Sequence, residues 1–196
     1  MSILTELDTI ISDIMANMGF LAPILASVLI VVEAIIPFLP LALFVTVNFY
    51  YFGPFIGFLI SWLMTCLGGY IVFKFWRTKV KDWIDGKISS KEDSKVNRLM
   101  EKLNMLSLEK LVLLITIPFA PAFLINMVAG LSDISEKKFI IALLIGKIFV
   151  VYFWGFVGTS IIDSLTNPYN LILVMVLMII AFVISRVVNR ACGIEK

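Results

Sequence analysis

The sequence predicts an all-α polytopic membrane protein: an inverted repeat with two re-entrant helical hairpins plus spanning helices. Three observations carry that reading. The chain is 61% hydrophobic and 15% charged, with no His among its 196 residues, and its mean hydropathy is +1.04. Residues 55–73 and 167–185 are each 19 residues without a charge, close to the ~20 needed to cross a bilayer core. Finally, Ile-Pro-Phe-Leu-Pro at 36–40 returns as Ile-Pro-Phe-Ala-Pro at 117–121, 81 residues later. Pro removes a backbone donor and disfavours helix at the residue before it. Broken backbone at membrane depth is tolerated only where protein or water lines it. Two such breaks in corresponding positions of two halves point to a transporter's binding site; two kinked spanning helices are the plainer alternative.

Residues 1–196 read as a single membrane domain. Residues 1–18 form an amphipathic N-terminal helix, with Leu4, Leu7, Ile11, Ile14 and Met18 on one face. Residues 19–53 are apolar except for Glu33 and Asn48, too long for one span and short for two. A spanning helix follows over 55–76. Residues 77–110 are a polar loop with nine Lys or Arg against six acidic residues. Within it Ser89 and Glu92 fit a capping box, and Val96, Leu99, Met100 and Leu103 make one helical stripe. Residues 111–131 are uncharged but broken by Pro118 and Pro121. The last two spans cover 139–162, with Lys147 inside, and 168–188.

Charge placement separates a kinked helix from a hairpin at 111–131. If that segment crossed straight, Lys137, Lys138, Arg186, Arg190 and Lys196 would lie on the far side from the basic loop. If it dips in and returns, the loop 77–110, residues 132–138 and the tail share one side, and nearly every Lys and Arg is cytoplasmic. The positive-inside bias favours the hairpin. The first break inherits this through the repeat, since residues 1–73 contain no Lys or Arg to orient it. The same absence leaves no basic n-region for a cleavable signal peptide.

Glu33, Pro37-Phe-Leu-Pro40, Phe52-Gly53 and a Gly-containing span ending Phe75-Trp76-Arg77 resemble the VTT domain of the DedA superfamily. Pro118-Phe-Ala-Pro121, Leu124-Ile-Asn126, Ala129-Gly130-Leu131, Ser135, Phe139 and Gly146-Lys147 resemble it further. The resemblance covers about residues 30–160. It implies a bacterial cell-membrane protein, close to the SNARE-associated Golgi protein branch, with two inverted re-entrant hairpins. Members act as lipid scramblases or transport phospholipids or polyprenyl phosphates. Many members carry Arg three residues before the second Pro pair, where this chain has Ile115, and several carry an acid just after the first, where it has Leu41 and Ala42. These departures put ion coupling in doubt.

The candidate substrate-binding residues are Glu33, Pro37, Pro40, Asn48, Pro118, Pro121, Asn126 and Lys147. An ionisable residue within a span is by default a functional hypothesis. Lys147 reads as an anion-binding charge or as a cation snorkelling to the interface. Glu33 reads as its counter-charge, as a group contacting an amine headgroup, or as an interfacial acid. A half-helix starting after Pro40 or Pro121 points free N–H groups and the positive dipole end inward, which suits a phosphate. Asn48 lies eight residues past Pro40 and Asn126 eight past Pro118, which reads as a further mark of the repeat; either could instead bridge helices. The glycines at 68, 69, 130, 146, 155 and 158 read as sites of close helix contact. The aromatic run 152–154 reads as interface belt or packing.

The chain carries no enzyme signature: no His, no nucleophile elbow and no paired carboxylates on one span. Cys66 and Cys192 predict neither a disulfide nor a metal site, and no cofactor is implied. The mixed-sign loop argues against nucleic acid. The expected partners are membrane lipids, and a homo-oligomer is left open. The expected function is translocation or scrambling of phosphate-bearing lipids, phospholipid or polyprenyl phosphate, between leaflets. An ion-coupled small-solute transporter and a non-transporting membrane assembly protein are the alternatives.

Overall fold

The computed structural model describes residues 21–36, 39–81, 95–163 and 169–191, and these are all-helical apart from short connections. The amphipathic segment 1–18, the Ser89/Glu92 box and Pro37 lie outside the described residues.

Helix α1 spans Leu21–Glu33 and stops ahead of the first Pro pair. Helix α2 starts after Pro40 and runs Leu41–Phe75, but it is two rods, because Gly53 interrupts it at φ 77°, ψ 168°. That conformation is essentially restricted to glycine, and Pro54 follows it as a helix start. The limb 41–52 therefore folds against the rod 54–75. One π-helical turn, Trp76–Val80, continues the rod. Helix α3 is Lys95–Met105 and α4 is Leu108–Thr116, capped by Ser107. The second break separates α4 from α5, Ala122–Leu131. Helices α6, Glu136–Asp163, and α7, Tyr169–Ala191, complete the chain.

Among the described residues, three helices are long and apolar enough to cross a membrane: the one beginning at Leu41, α6 and α7. At ~1.5 Å per residue the rod from Pro54 to Val80 still exceeds the ~30 Å hydrocarbon core. The other apolar pieces do not. Helix α1 has 13 residues, α4 has 9 and α5 has 10, roughly 14–20 Å each.

Glycines set the helix contacts, as their sequence positions suggest. A Cβ on Gly68 would stand 2.7 Å from the Ala34 Cβ, so the end of α1 lies directly on α2. A Cβ on Gly130 would stand 2.5 Å from the Phe73 carbonyl, and one on Gly146 2.7 Å from the Ile115 side chain. In lipid, where burial against a neighbouring helix gains little over burial in acyl chains, such close backbone packing is a principal source of association. Two apolar clusters result. One surrounds the stacked rings of Phe73 and Phe139, 4.2 Å between centroids, with Leu111, Leu114 and Leu143. The other joins Ile30, Val45, Phe49 and Val151. Trp62 touches both and donates its indole N–H to the Leu144 carbonyl at 2.9 Å. The stripe expected in the loop is real: Leu99, Met100 and Leu103 of α3 pack on the first cluster.

Candidate functional site

The two Pro-containing breaks meet. A cavity of about 390 Å³ is bounded by Leu39–Ala42 on one side and Ile117–Phe123 on the other. Glu33, Asn126, Lys147 and Trp154 complete its charged, amide and indole lining. Of the eight sequence candidates, the structure thus brings Glu33, Pro40, Pro118, Pro121, Asn126 and Lys147 to one place.

Each wall follows from local sequence. Pro40 and Pro121 occupy the N-cap positions of the limb 41–52 and of α5, and neither offers a capping side chain. The first intrahelical bonds run from Leu43 N to Pro40 O and from Ile125 N to Pro121 O. The N–H groups of the preceding first turns are therefore left for something else. Leu41, Ala42, Ala122 and Phe123, which carry them, all line the cavity. Two positive helix ends thus open on one space, an arrangement that favours negative charge.

Lys147 lies on α6, eleven residues past Glu136 and so about 16 Å along the helix at ~1.5 Å per residue. It is 4% exposed. It makes no hydrogen bond, and no ion pair within 4.0 Å, with any described residue. Its stem does not carry it to the protein surface: its amine is buried on the lining of the cavity. Glu33 ends α1, half-buried on the same lining, and no ion pair within 4.0 Å joins it to Lys147.

The two asparagines part company. Asn48 is fully buried but does not line the cavity. Its Nδ2 donates to Ser61 Oγ at 3.1 Å, and its Oδ1 accepts from Ser27 Oγ at 3.3 Å. It ties α1, the limb 41–52 and the rod 54–75 together. Asn126 is 2% exposed, lines the cavity and makes no hydrogen bond with a described residue. The 81-residue offset of the repeat explains the difference. It pairs Asn126 with Val45 and Asn48 with Ala129, so the eight-residue spacings were counted from different prolines and do not mark equivalent positions.

Sequence reasoning passed over Trp154, which is more than belt or packing. It stands seven residues, two turns, past Lys147 on the same face of α6, with Val150 between them on the lining. That spacing was the available signal. Phe119, at the tip of the second break, meets the Trp154 ring edge-on at 5.4 Å.

Away from the cavity, Arg77 grips the far end of α5. Its Nη2 donates to the carbonyls of Ala129 at 3.2 Å and Ser132 at 2.6 Å, and its Nε to that of Gly130 at 3.2 Å. Beside it Lys74 pairs with Glu136 at 2.8 Å and Lys81 with Asp133 at 2.7 Å. These contacts fasten the α5–α6 connection to α2.

The profile of the VTT domain matches residues 36–160. The chain belongs to the VTT-domain (DedA) family. It is 31% identical over 168 residues to the uncharacterized membrane protein YhjE of Bacillus subtilis, covering 86% of this chain and 80% of that one. It is 27% identical over 130 residues to YqeD of the same organism, covering 66% of this chain and 62% of the relative. No solved structure matches it. In this VTT-domain protein the matched region contains both breaks, Asn126, Lys147 and Trp154; Glu33 lies just ahead of it.

Proposed function

We propose that this protein moves phosphate-bearing lipids, phospholipid or polyprenyl phosphate, between the leaflets of a bacterial cell membrane. The observation that carries the reading is Lys147: a buried lysine with no hydrogen bond or ion pair to any described residue, facing a cavity on which two uncapped helix ends open. A bare phosphate taken into hydrocarbon meets an idealised Born cost of order 20 kcal/mol. Unused N–H groups, an amide and one ammonium lower that barrier along a protein-lined path, while the acyl or prenyl chain stays in lipid. One cation among neutral donors binds a headgroup without trapping it.

The same reading assigns the short helices. Pieces of 9 to 13 residues cannot cross, so α1 with the limb 41–52, and α4 with α5, enter and return as hairpins from opposite leaflets. Their tips meet at the cavity. Family membership supports a membrane-transport role.

The test uses the purified full chain in liposomes containing fluorescent phospholipids, with dithionite quenching of the outer leaflet. Wild-type protein is expected to expose the inner-leaflet pool within minutes, and Lys147→Gln to slow this at least tenfold while remaining monodisperse. Liposomes with wild-type protein that quench no further than empty ones overturn the proposal. An ion-coupled solute transporter would instead give solute uptake driven by a proton or sodium gradient and no lipid exchange.

A further inference from the structure

On the lipid-translocation reading a headgroup enters the cavity while its acyl chains stay in lipid, so one wall has to open sideways. Several helix seams around the cavity are closed by glycine. The end of α1 rests on the rod 54–75 at Gly68, where a Cβ would stand 2.7 Å from the Ala34 Cβ. Helix α4 rests on α6 at Gly146, where a Cβ would stand 2.7 Å from the Ile115 side chain. The limb 41–52 rests on α6 at Gly155 and Gly158, where a Cβ would run into Phe49 and Thr46. Contacts this close bring backbone against its neighbour, so such seams part only when whole helices move.

The seam between the second break and α7 is of another kind. No glycine occurs in Tyr169–Ala191. Helix α7 packs mainly on α6, and among its described side chains only Val174 and Ser185 are buried. Rings join it to the cavity wall. Phe119, at the tip of the second break and on the lining, meets Phe153 at 6.2 Å, Trp154 at 5.4 Å and Phe182 of α7 at 5.9 Å, each edge-on at 75–80°. Phe182 is not on the lining; it stands behind Phe119 and is 48% exposed. The Arg186 guanidinium, one turn further along α7, lies 5.5 Å over the Phe182 ring.

This seam costs the least to open. An edge-on ring pair is a modest attraction, and in a bilayer a ring that leaves its partner is covered by acyl chains with little loss. Each ring turns aside by side-chain rotation alone, with no backbone to displace.

We infer that acyl chains reach the cavity between the second break and α7, where Phe119 and Phe182 separate to let them by. Phe182 is a positioning residue that holds Phe119 across the opening. The inference rests on the lipid-translocation reading and adds the route of the lipid's apolar part. Helix α7 lies outside the residues 36–160 that match the family profile, so one side of this portal comes from a helix beyond that match.

The experiment locks the seam. Phe119→Cys and Phe182→Cys are combined in a Cys66→Ser, Cys192→Ser background. The full-length protein is either linked with o-phenylenedimaleimide or capped on both thiols with N-ethylmaleimide. Linkage is confirmed by mass spectrometry, and folding by gel filtration and helical circular dichroism. Linked protein should move fluorescent phospholipid in liposomes at least fivefold more slowly than capped protein. A second readout does not need transport: quenching of Trp154 fluorescence by lipids with brominated acyl chains, taken as the difference from the same protein carrying Trp154→Phe. Linking should at least halve that quenching. Phe182→Ala in the otherwise native chain should speed lipid movement at least twofold.

Equal rates in linked and capped protein overturn the portal and leave lipid translocation standing. So does a Phe182→Ala protein that melts as wild type but moves lipid more slowly. If even wild type moves no lipid, the translocation reading fails and the quenching decides alone. Lower quenching in linked protein then still assigns the seam to acyl chains, and equal quenching overturns the inference.

Discussion

Asn48 donates to Ser61 across thirteen residues of chain, 3.1 Å from Nδ2 to Oγ, and both side chains are fully buried. The bond closes the fold at Gly53 and, with Ser27 on the Asn48 carbonyl oxygen, fixes α1 to the same point. Removing the amide leaves the buried Ser61 hydroxyl short of a donor, while the half-buried Ser27 hydroxyl keeps the Pro23 carbonyl at 2.7 Å. A side-chain hydrogen bond between membrane helices is worth about 0.6–2 kcal/mol, and an orphaned buried polar group costs about 1–3 kcal/mol. We predict that Asn48→Ala lowers stability by about 1–3 kcal/mol, and that Asn126→Ala costs less than half as much yet slows lipid movement more. Thermal melting in detergent, set beside liposome rates, checks this. A large melting loss for Asn126→Ala would show that residue to be structural too.

The limb 41–52 is seated on α6 through two glycines. A Cβ on Gly155 would run into the Phe49 ring, and one on Gly158 into the Thr46 side chain. Phe49 is itself buried, so the ring has nowhere to swing, and Thr46 is held by its hydroxyl donating to the Ala42 carbonyl at 2.6 Å. Overpacking of this kind costs about 1–3 kcal/mol. We predict that Gly158→Ala destabilises by that amount, and that adding Thr46→Ala recovers at least a third of it by removing the hydroxyl and methyl that collide. A double-mutant cycle measured by thermal melting decides; strict additivity would mean the limb shifts freely.

Much of this was legible in the sequence. Uncharged runs of spanning length gave the long helices, and repeated Pro pairs gave the breaks. Lys147 stood out as a charge inside a span, and the glycines marked the close contacts. Other features were not legible, because they depend on what the fold brings together. The kink at Gly53 precedes Pro54, a pair equally at home in a loop. The different fates of Asn48 and Asn126 are set by an offset that spacing to the nearest proline hides. Trp154 shared a face with Lys147, but its place in a run of three aromatic residues resembled an interface belt. Arg77 marked only the end of a span in the sequence, and the three carbonyls it binds come to it through the fold.

The topology has its own test. The loop 77–110, residues 132–138 and the C-terminal tail should share the cytoplasmic side. Single cysteines replacing Ser90, Lys137 and Ile194, in a Cys66→Ser, Cys192→Ser background, should all resist an impermeant maleimide in whole cells and react after permeabilisation. Lys137 is exposed, so its reagent access is not limited by packing. Labelling of Lys137→Cys in intact cells while Ser90→Cys stays protected would make 111–131 a crossing segment and remove the second hairpin.

Arg77 gives the last prediction. The final carbonyls of a helix lack intrahelical donors, and a cation there also complements the helix dipole. Arg77 reaches two such groups of α5, at Ala129 and Gly130, and the Ser132 carbonyl beyond them, while its guanidinium stacks 4.6 Å over the Phe73 ring. Lys at this position is a point charge that cannot reproduce the fork. The consequence reaches the cavity because α5 has only ten residues: loosening its C-terminal end lets Pro121, Ala122 and Asn126 at and near the other end drift. We predict that Arg77→Ala lowers stability by about 2–3 kcal/mol, on the scale of hydrogen bonds to charged groups, and that Arg77→Lys recovers less than half of it. Both should slow lipid movement at temperatures well below their melting points, because the α5 N-terminus and Asn126 are no longer held at the cavity. Melting and liposome rates measured on the same preparations separate the two effects. Wild-type lipid rates in a destabilised Arg77→Ala would confine the clasp to folding, and wild-type melting would mean that the three carbonyls find other donors.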